Sequence, residues 1–482
     1  MNLQQVVAIA DKDPDEGLRL ASYRLNEYPN DVEALYVAWK VHMAAERFGL
    51  AYNLMKRGLE VSPNDPGVWN NVGLSLHGMM RLEDAEKCFR KALQLDPKNI
   101  PALNNLALIC VGQHRPEEAI AIADKSLAIS NDPEEQASVM ESRGYGCLML
   151  GRWKEGWDGF EAMIGGKYRP IHALQGEPYW KGEKVNTLLV VGEQGIGDEI
   201  SFASIIPDLV KDKDRVGQVI YECDGRLEGL FRRSFDIPVY GTRFVQKVMW
   251  PHDYKLDAHV LSGSLGRYYR LSDESFPKTP YLKADPERRL QWRALLDSLG
   301  SKPKIGIAWT GGRKRTFGER RTLKLTEFLP ILRQDATFIS LQYRDPTAEI
   351  DALKKEFGIT VHHWARCTEA KDYDETAALV AELDLVIAVP TAVVDLCGGL
   401  GKECWVLVPQ KPHWRFTKPV WTDARLYRQR KDWAYVINQV ANDLGVRCSK
   451  YSVVSIQGSP WVSLSSDAQL SGGLHGQSEL PR

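Results

Sequence analysis

Residues 187–200 read TLLVVGEQGIGDEI. Thr187 leads a continuous apolar run to Val191, the pattern of a strand buried on both faces of a parallel sheet. Gly192-Glu193-Gln194-Gly195-Ile196-Gly197 follows as a glycine loop, with Gly195 and Gly197 as the candidate phosphate loop. Asp198-Glu199-Ile200 then opens an amphipathic stretch predicted to be helical as far as Leu209. Strand, glycine loop and helix in that order begin a doubly wound α/β fold.

Downstream the alternation continues. A further strand is expected over 219–223 and a helix near 227–231. A second start comes at 304–309, followed by a loop over 310–321 and a helix near 326–332. Strands are expected at 337–341, 360–363, 383–389 and 404–408, with helices near 346–357 and 373–382 between them. This regular alternation predicts two Rossmann-like doubly wound lobes, 186–302 and 303–446, with a cleft between their carboxyl strand ends. Residues 166–185, with Pro170, Gly176, Pro178 and Gly182, read as a linker. The end of the chain, 447–482, is rich in Ser, Gly and Gln toward its terminus and reads as a largely disordered tail.

Upstream the period is different. Pro29, Pro63 and Pro97 are each 34 residues apart, as are Ala51, Ala85 and Ala119. Leu35, Trp69 and Leu103 keep the same step, as do Met55, Phe89 and Ala123. A repeat at many offsets at once is the mark of stacked supersecondary units. The small residues let paired helices approach, large ones fill between hairpins, and proline ends the second helix. Asn131 stands where the next proline is due and Pro133 follows, so the register slips there, before a last copy through Gly144, Gly151 and Phe160. This pattern resembles the tetratricopeptide repeat and assigns 1–165 to a helical solenoid whose groove is expected to take a protein or peptide. Trp39, Trp69 and Phe89 read as its core.

Lys plus Arg (62) almost equals Asp plus Glu (63), which speaks against a dedicated nucleic-acid protein. None of the eight cysteines forms a C-x-x-C pair, so they read as buried or free thiols in a reducing compartment. The start of the chain lacks a basic, then apolar, export pattern, and nowhere does an apolar run reach membrane-spanning length. The expectation is a soluble, cytoplasmic protein.

The string from Glu193 to Ile200, with Phe202, Ala203 and Pro207 after it, resembles the first lobe of tetratricopeptide-linked glycosyltransferases related to the heptosyltransferases. The resemblance implies the family B glycosyltransferase fold and a nucleotide-sugar donor, which is a substrate, so no cofactor is expected. It also implies that Asp198 is the base; read from spacing alone, the same Asp198 is a helix N-cap. His259 is the second candidate base, although a lone histidine is more often structural. Thr310, Gly311 and Gly312 end a strand and lead into a loop bearing Arg313, Lys314, Arg315, Arg320, Arg321 and Lys324. That loop is either a solvated charge run or, as the resemblance implies, the donor-phosphate loop, with Arg321 and Lys324 as its ligands.

The segment 389–401, VPTAVVDLCGGLG, follows a strand and opens a helix. The resemblance puts Thr391, Ala392 and Val393 at the donor diphosphate; Thr391 as a plain helix cap is the other reading. Pro390 and Asp395 depart from the related pattern. A carboxylate at a diphosphate is unfavourable, so either Arg415 neutralises Asp395 or Asp395 points elsewhere. Gln342 and Tyr343 are nucleoside candidates, Trp414 and Phe416 cleft candidates, and Asp257, Ser262 and Ser264 acceptor candidates. No Asp-x-Asp follows a strand in a metal-holding position, so metal-independent, inverting transfer is expected. The alternatives are a scaffold with a degenerate transferase module and a protein O-GlcNAc-type transferase.

Overall fold

The computed structural model describes residues 3–165, 169, 176–193, 195–243, 254–277, 279–312, 318–368, 372–418 and 424–457. The loop cations Arg313, Lys314 and Arg315 lie outside the described residues.

The 34-residue period becomes a stack of helical hairpins. Paired helices include Val32–Ala44 with Phe48–Val61, Pro66–Gly78 with Leu82–Leu95, and Ile100–Gly112 with Pro116–Leu127. The first helix of each pair starts at a side-chain cap in the same register. Asp31 accepts from the Ala34 N–H, Asp65 from those of Gly67 and Val68, and Asn99 from that of Ala102. Each cap satisfies backbone donors that the helix leaves open and contributes about 0.5–2 kcal/mol. The next cap is Asp132, one residue early, which is the expected register slip. Ala51, Ala85 and Ala119 are fully buried where paired helices meet.

The last hairpin, Pro133–Leu150 and Trp153–Glu161, faces a different neighbour. Trp153, Trp157 and Phe160 lie in one core with Phe202, Phe276 and Trp414. Trp157 Nε1 donates to the Arg270 carbonyl at 2.7 Å, and Trp153 Nε1 to Asp273 at 2.8 Å. A boundary at residue 165 therefore cuts behind a hairpin that belongs physically to the α/β part.

Two parallel sheets follow. The first has strands β1 (Val185–Val191), β2 (Val216–Asp224), β3 (Val239–Arg243) and β4 (Ala258–Leu261), in the order β3-β2-β1-β4. The second has β5 (Lys304–Ala308), β6 (Thr337–Ser340), β7 (Val361–His362), β8 (Leu385–Ala388), β9 (Cys404–Val408) and β10 (Arg425–Arg428). Its order is β10-β9-β8-β5-β6-β7. In both sheets the chain moves outward from the first strand and then crosses back beside it. The reversal falls between β1 and β4 and between β5 and β8, and crevices at such points, outside the carboxyl strand ends, are where open α/β sheets bind ligands.

Four expectations change. The helix predicted to Leu209 is two helices, Ile196–Ala203 and Ile206–Lys211, because Pro207 restarts the chain in a new first turn. Of the segment read as a linker, residues 176–185 run beside the first sheet: the Trp180 N–H donates to the His259 carbonyl and the His259 N–H donates to that of Pro178, while 166–168 and 170–175 lie outside the described residues. The final helix, Trp433–Gln457, continues past residue 447, where the tail was drawn. Strands β3, β4 and β10 were absent from the sequence reading. All eight cysteines are free and buried.

Candidate functional site

The two reversal points face each other. After β1, Gly195 holds a φ of +115°, a conformation open chiefly to glycine, and turns the chain into the Ile196–Ala203 helix. After β8, Thr391 sits at the N-cap of the Ala392–Leu400 helix. The starts of these helices touch: a Cβ on Gly197 would lie 2.6 Å from Asp395 Oδ2 and 3.3 Å from Ala392 Cα. Only glycine at 197 permits that approach. Two sets of free helix N–H groups, each with the positive end of a helix dipole, thus converge on one cleft.

Arg415 joins the two sides. Its Nη1 donates to Asp395 Oδ1 at 3.0 Å, to Ser201 Oγ at 2.6 Å and to the Gly197 carbonyl at 3.1 Å. Its Nη2 lies 3.0 Å from Asp198 Oδ1. Ser201 also donates to Asp395 Oδ1 at 2.7 Å. The question left by Asp395 is answered: Arg415 neutralises it. Burial pushes the Asp395 carboxyl up to about 6, against the opposing pull of Arg415. Burial also works against the charge of Arg415, but Asp395 and Asp198 outweigh it and hold the guanidinium protonated.

Asp198 is the exposed member. Its side chain is 40% accessible, against 4% for Asp395. Loss of solvation in the cleft raises its pKa, and Arg415 partly offsets this. It does not cap its helix. The N-cap is Gly195, because the glycine turn starts the helix at Ile196 and leaves Asp198 inside the first turn.

Arg321 closes the second side. A Cβ on Gly311 would meet Arg321 Nε at 3.2 Å, Thr391 Cγ2 at 3.2 Å and the Pro390 carbonyl at 3.1 Å, so these groups surround one point. Burial, then the neighbouring Arg415, lowers the Arg321 pKa. Thr310 Oγ1 and Thr391 Oγ1 are buried and meet no hydrogen-bond partner among the described residues. Thr391 makes no side-chain cap bond, so its hydroxyl is open to a ligand. Ala392 and Val393 form the first turn of that helix, and Gly312 turns with a φ of +80°.

The other candidates are differently placed. His259 is 2% exposed within β4, edge-on to Tyr179 and 3.7 Å from Glu177, too deep for an acceptor substrate to reach. Gln342 is buried, and its side-chain oxygen accepts from the Trp309 and Thr310 N–H groups. Tyr343 is exposed at the rim, its hydroxyl 3.4 Å from the Gly312 carbonyl. Lys324 is exposed, and its N–H donates to Glu327. Arg320 donates to the Gly112 carbonyl of the repeat array at 2.7 Å. Asp257 accepts from the Asn186 and Thr187 N–H groups, and Ser264 accepts from Arg169 and Tyr179. Ser262 is fully buried, and Trp414 and Phe416 are core residues.

Ser201 was missed. Its signal is helical spacing: it follows Asp198 by three residues and so shares its face. Tyr145 was missed as well. It comes from the last repeat hairpin, and its ring meets that of His413 edge-on at 6.4 Å, two residues before Arg415.

Residues 66–132 match the tetratricopeptide repeat family model. The chain is similar to Protein FlbA of Caulobacter vibrioides, 28% identical over 407 residues, covering 80% of this chain and 67% of that protein. It is also similar to the peroxisomal targeting signal receptor of Kluyveromyces lactis, 42% identical over 65 residues, covering 14% of this chain and 12% of the receptor. Among solved structures it is similar to a thermophilic tetratricopeptide-repeat protein of Thermus thermophilus, at 20% identity and a TM-score of 0.30, covering 34% of this chain and 90% of that one. The 34-residue register, the capped hairpins and the family match agree: the chain carries tetratricopeptide repeats, matched over 66–132, with two parallel α/β sheets behind the array.

Proposed function

We propose that the α/β part binds a nucleotide sugar between its two sheets and transfers the sugar to a hydroxyl group. One observation carries the reading: two helix N-termini from different sheets meet at Gly197 and Ala392, with Arg321, Arg415 and two threonine hydroxyls that have no partner among the described residues. Such a cradle suits a diphosphate, which takes several charge-assisted hydrogen bonds at once. The family B glycosyltransferase fold is the architecture this reading implies.

In the proposed step, Asp198 takes the proton from the acceptor hydroxyl. The acceptor oxygen bonds to the anomeric carbon as the bond from that carbon to the diphosphate oxygen breaks. The electron pair leaves with the nucleoside diphosphate, and its charge falls on Arg321, Arg415 and the helix N-termini. Transfer in one displacement inverts the anomeric centre. In this reading these cations take the leaving-group charge, and the transfer is metal-independent.

Tetratricopeptide arrays are protein-binding scaffolds. The family match over 66–132 supports that role for the repeats and favours a protein or peptide as acceptor. It equally supports a second reading, in which the chain is a scaffold and its α/β part does not turn over. A panel of nucleotide sugars tests both, read as nucleoside diphosphate released with and without added protein acceptors. Release from one donor, enhanced by an acceptor, is the expected result. Saturable binding of a nucleoside diphosphate without release from any donor would leave the scaffold.

A further inference from the structure

Arg415 is held in a way that a simple phosphate ligand is not. Its side chain is only 10% exposed, yet it spans the cleft between two carboxylates, Asp198 on one sheet unit and Asp395 on the other. The two anchors are unequal. Asp395 is buried, accepts from Ser201 as well, and shares Nη1 with the Gly197 carbonyl. Asp198 is accessible and has Nη2 of Arg415 as its ion-pair partner. The Arg415 Nε is buried without a hydrogen-bond partner among the described residues, so the guanidinium has unfilled donor capacity.

A base in this position has a difficulty. Pairing with an arginine at 3.0 Å favours the charged carboxylate, so Arg415 holds the proton affinity of Asp198 below what burial in the cleft alone would give it. Withdrawal of Arg415 would make Asp198 a stronger base. A diphosphate entering between the helix starts carries more negative charge than one carboxylate and binds guanidinium in the same forked geometry. Asp395, Ser201 and the Gly197 carbonyl all sit on Nη1, which leaves Nη2 free to change partner.

We propose that Arg415 passes from Asp198 to the donor diphosphate, so that donor binding itself frees the base. This rests on the transferase reading above and adds an order to it: donor first, then acceptor. It also explains an arginine and two aspartates in one cleft. With Arg321, they balance to zero net charge while the site is empty. Displacement by the ligand leaves Asp198 unpaired only when a leaving group is present.

The test uses the full chain and inorganic pyrophosphate, with binding followed by calorimetry. Asp198 competes with the ligand for Arg415, so Asp198→Asn is expected to tighten pyrophosphate binding at least several-fold. In an Arg415→Gln background the same change is expected to give no gain, because there is no arginine left to release. Plain relief of charge repulsion would persist in that background and would overturn the handover. Asp198→Asn binding pyrophosphate no more tightly than the parent would overturn it as well, and that result stands even where Arg415→Gln fails to fold. If the parent protein binds neither pyrophosphate nor any nucleoside diphosphate, the transferase reading itself falls and the handover with it.

Discussion

The Ile196–Ala203 and Ala392–Leu400 helices begin in the same way, at the carboxyl end of a parallel strand beside a chain reversal. Each carries an aspartate in its first turn, and both aspartates reach the same arginine. What differs is depth. Asp395 is buried and hydrogen-bonded by Ser201, whereas Asp198 opens toward solvent in the cleft. Burial and a fixed donor make one carboxylate a structural counter-ion; access makes the other available to a substrate. Position after a strand end therefore nominates a residue, and depth decides its role.

The sharpest break of that comparison is a pair of carboxamides. Asp198→Asn is expected to lower turnover by roughly a hundredfold or more, since a general base is lost. Folding should change little, because Asp198 does not cap its helix and its side chain is accessible. Turnover near that of the parent would make the two aspartates equivalent in kind, both partners of Arg415, and the base would have to come from elsewhere.

Asp395→Asn should act on stability and on its pH dependence. The folded carboxyl titrates at about 6, above the ordinary value of 3.8. A carboxyl raised by folding contributes stability below its unfolded pKa and loses that contribution as pH rises through the folded one. Compared with Asp395→Asn, the parent should therefore lose on the order of 2–3 kcal/mol between about pH 4 and pH 7. Arg415, Asp198, Arg321, Tyr281 and Tyr373 bear on the same carboxyl and stay in place in both proteins. Melting temperatures of the two proteins across this range measure it. A flat difference would mean that Arg415 keeps Asp395 ionised throughout.

How much of this was legible in the sequence follows from range. The repeat was readable because its caps and alanines recur at a fixed short step. Strands β1, β5 and β8 were readable because central parallel strands are continuous apolar runs. Strands β3 (VYGTR), β4 (AHVL) and β10 (RLYR) are short and carry polar or charged residues, so their pattern is that of loops. In the site, Asp198, Arg321, Thr391 and Asp395 were marked by their places after strand ends. The bond from Ser201 to Asp395 spans 194 residues and that from Arg415 to Gly197 spans 218, and no local pattern encodes either. His259, Gln342 and Asp257 misled for the converse reason. A polar residue at a strand end looks the same in sequence whether its partner is a ligand or the neighbouring backbone.

The smallest expected effect separates the two helix starts from the charged loop. Thr391 begins the Ala392–Leu400 helix without capping it, and its hydroxyl is buried and unpartnered among the described residues. Thr391→Val keeps the shape and removes only that donor. Stability should hold, since no internal hydrogen bond is broken. Diphosphate affinity should fall roughly tenfold, the value of one hydrogen bond to a charged group at about 1.5 kcal/mol. Lys324 is the control. It is exposed, where solvent screens its charge, so Lys324→Ala should cost less affinity than Thr391→Val. The opposite result, with Lys324 dominant and Thr391 silent, would move the anion from the helix starts to the loop. Gly197 would then serve packing between the two sheets alone.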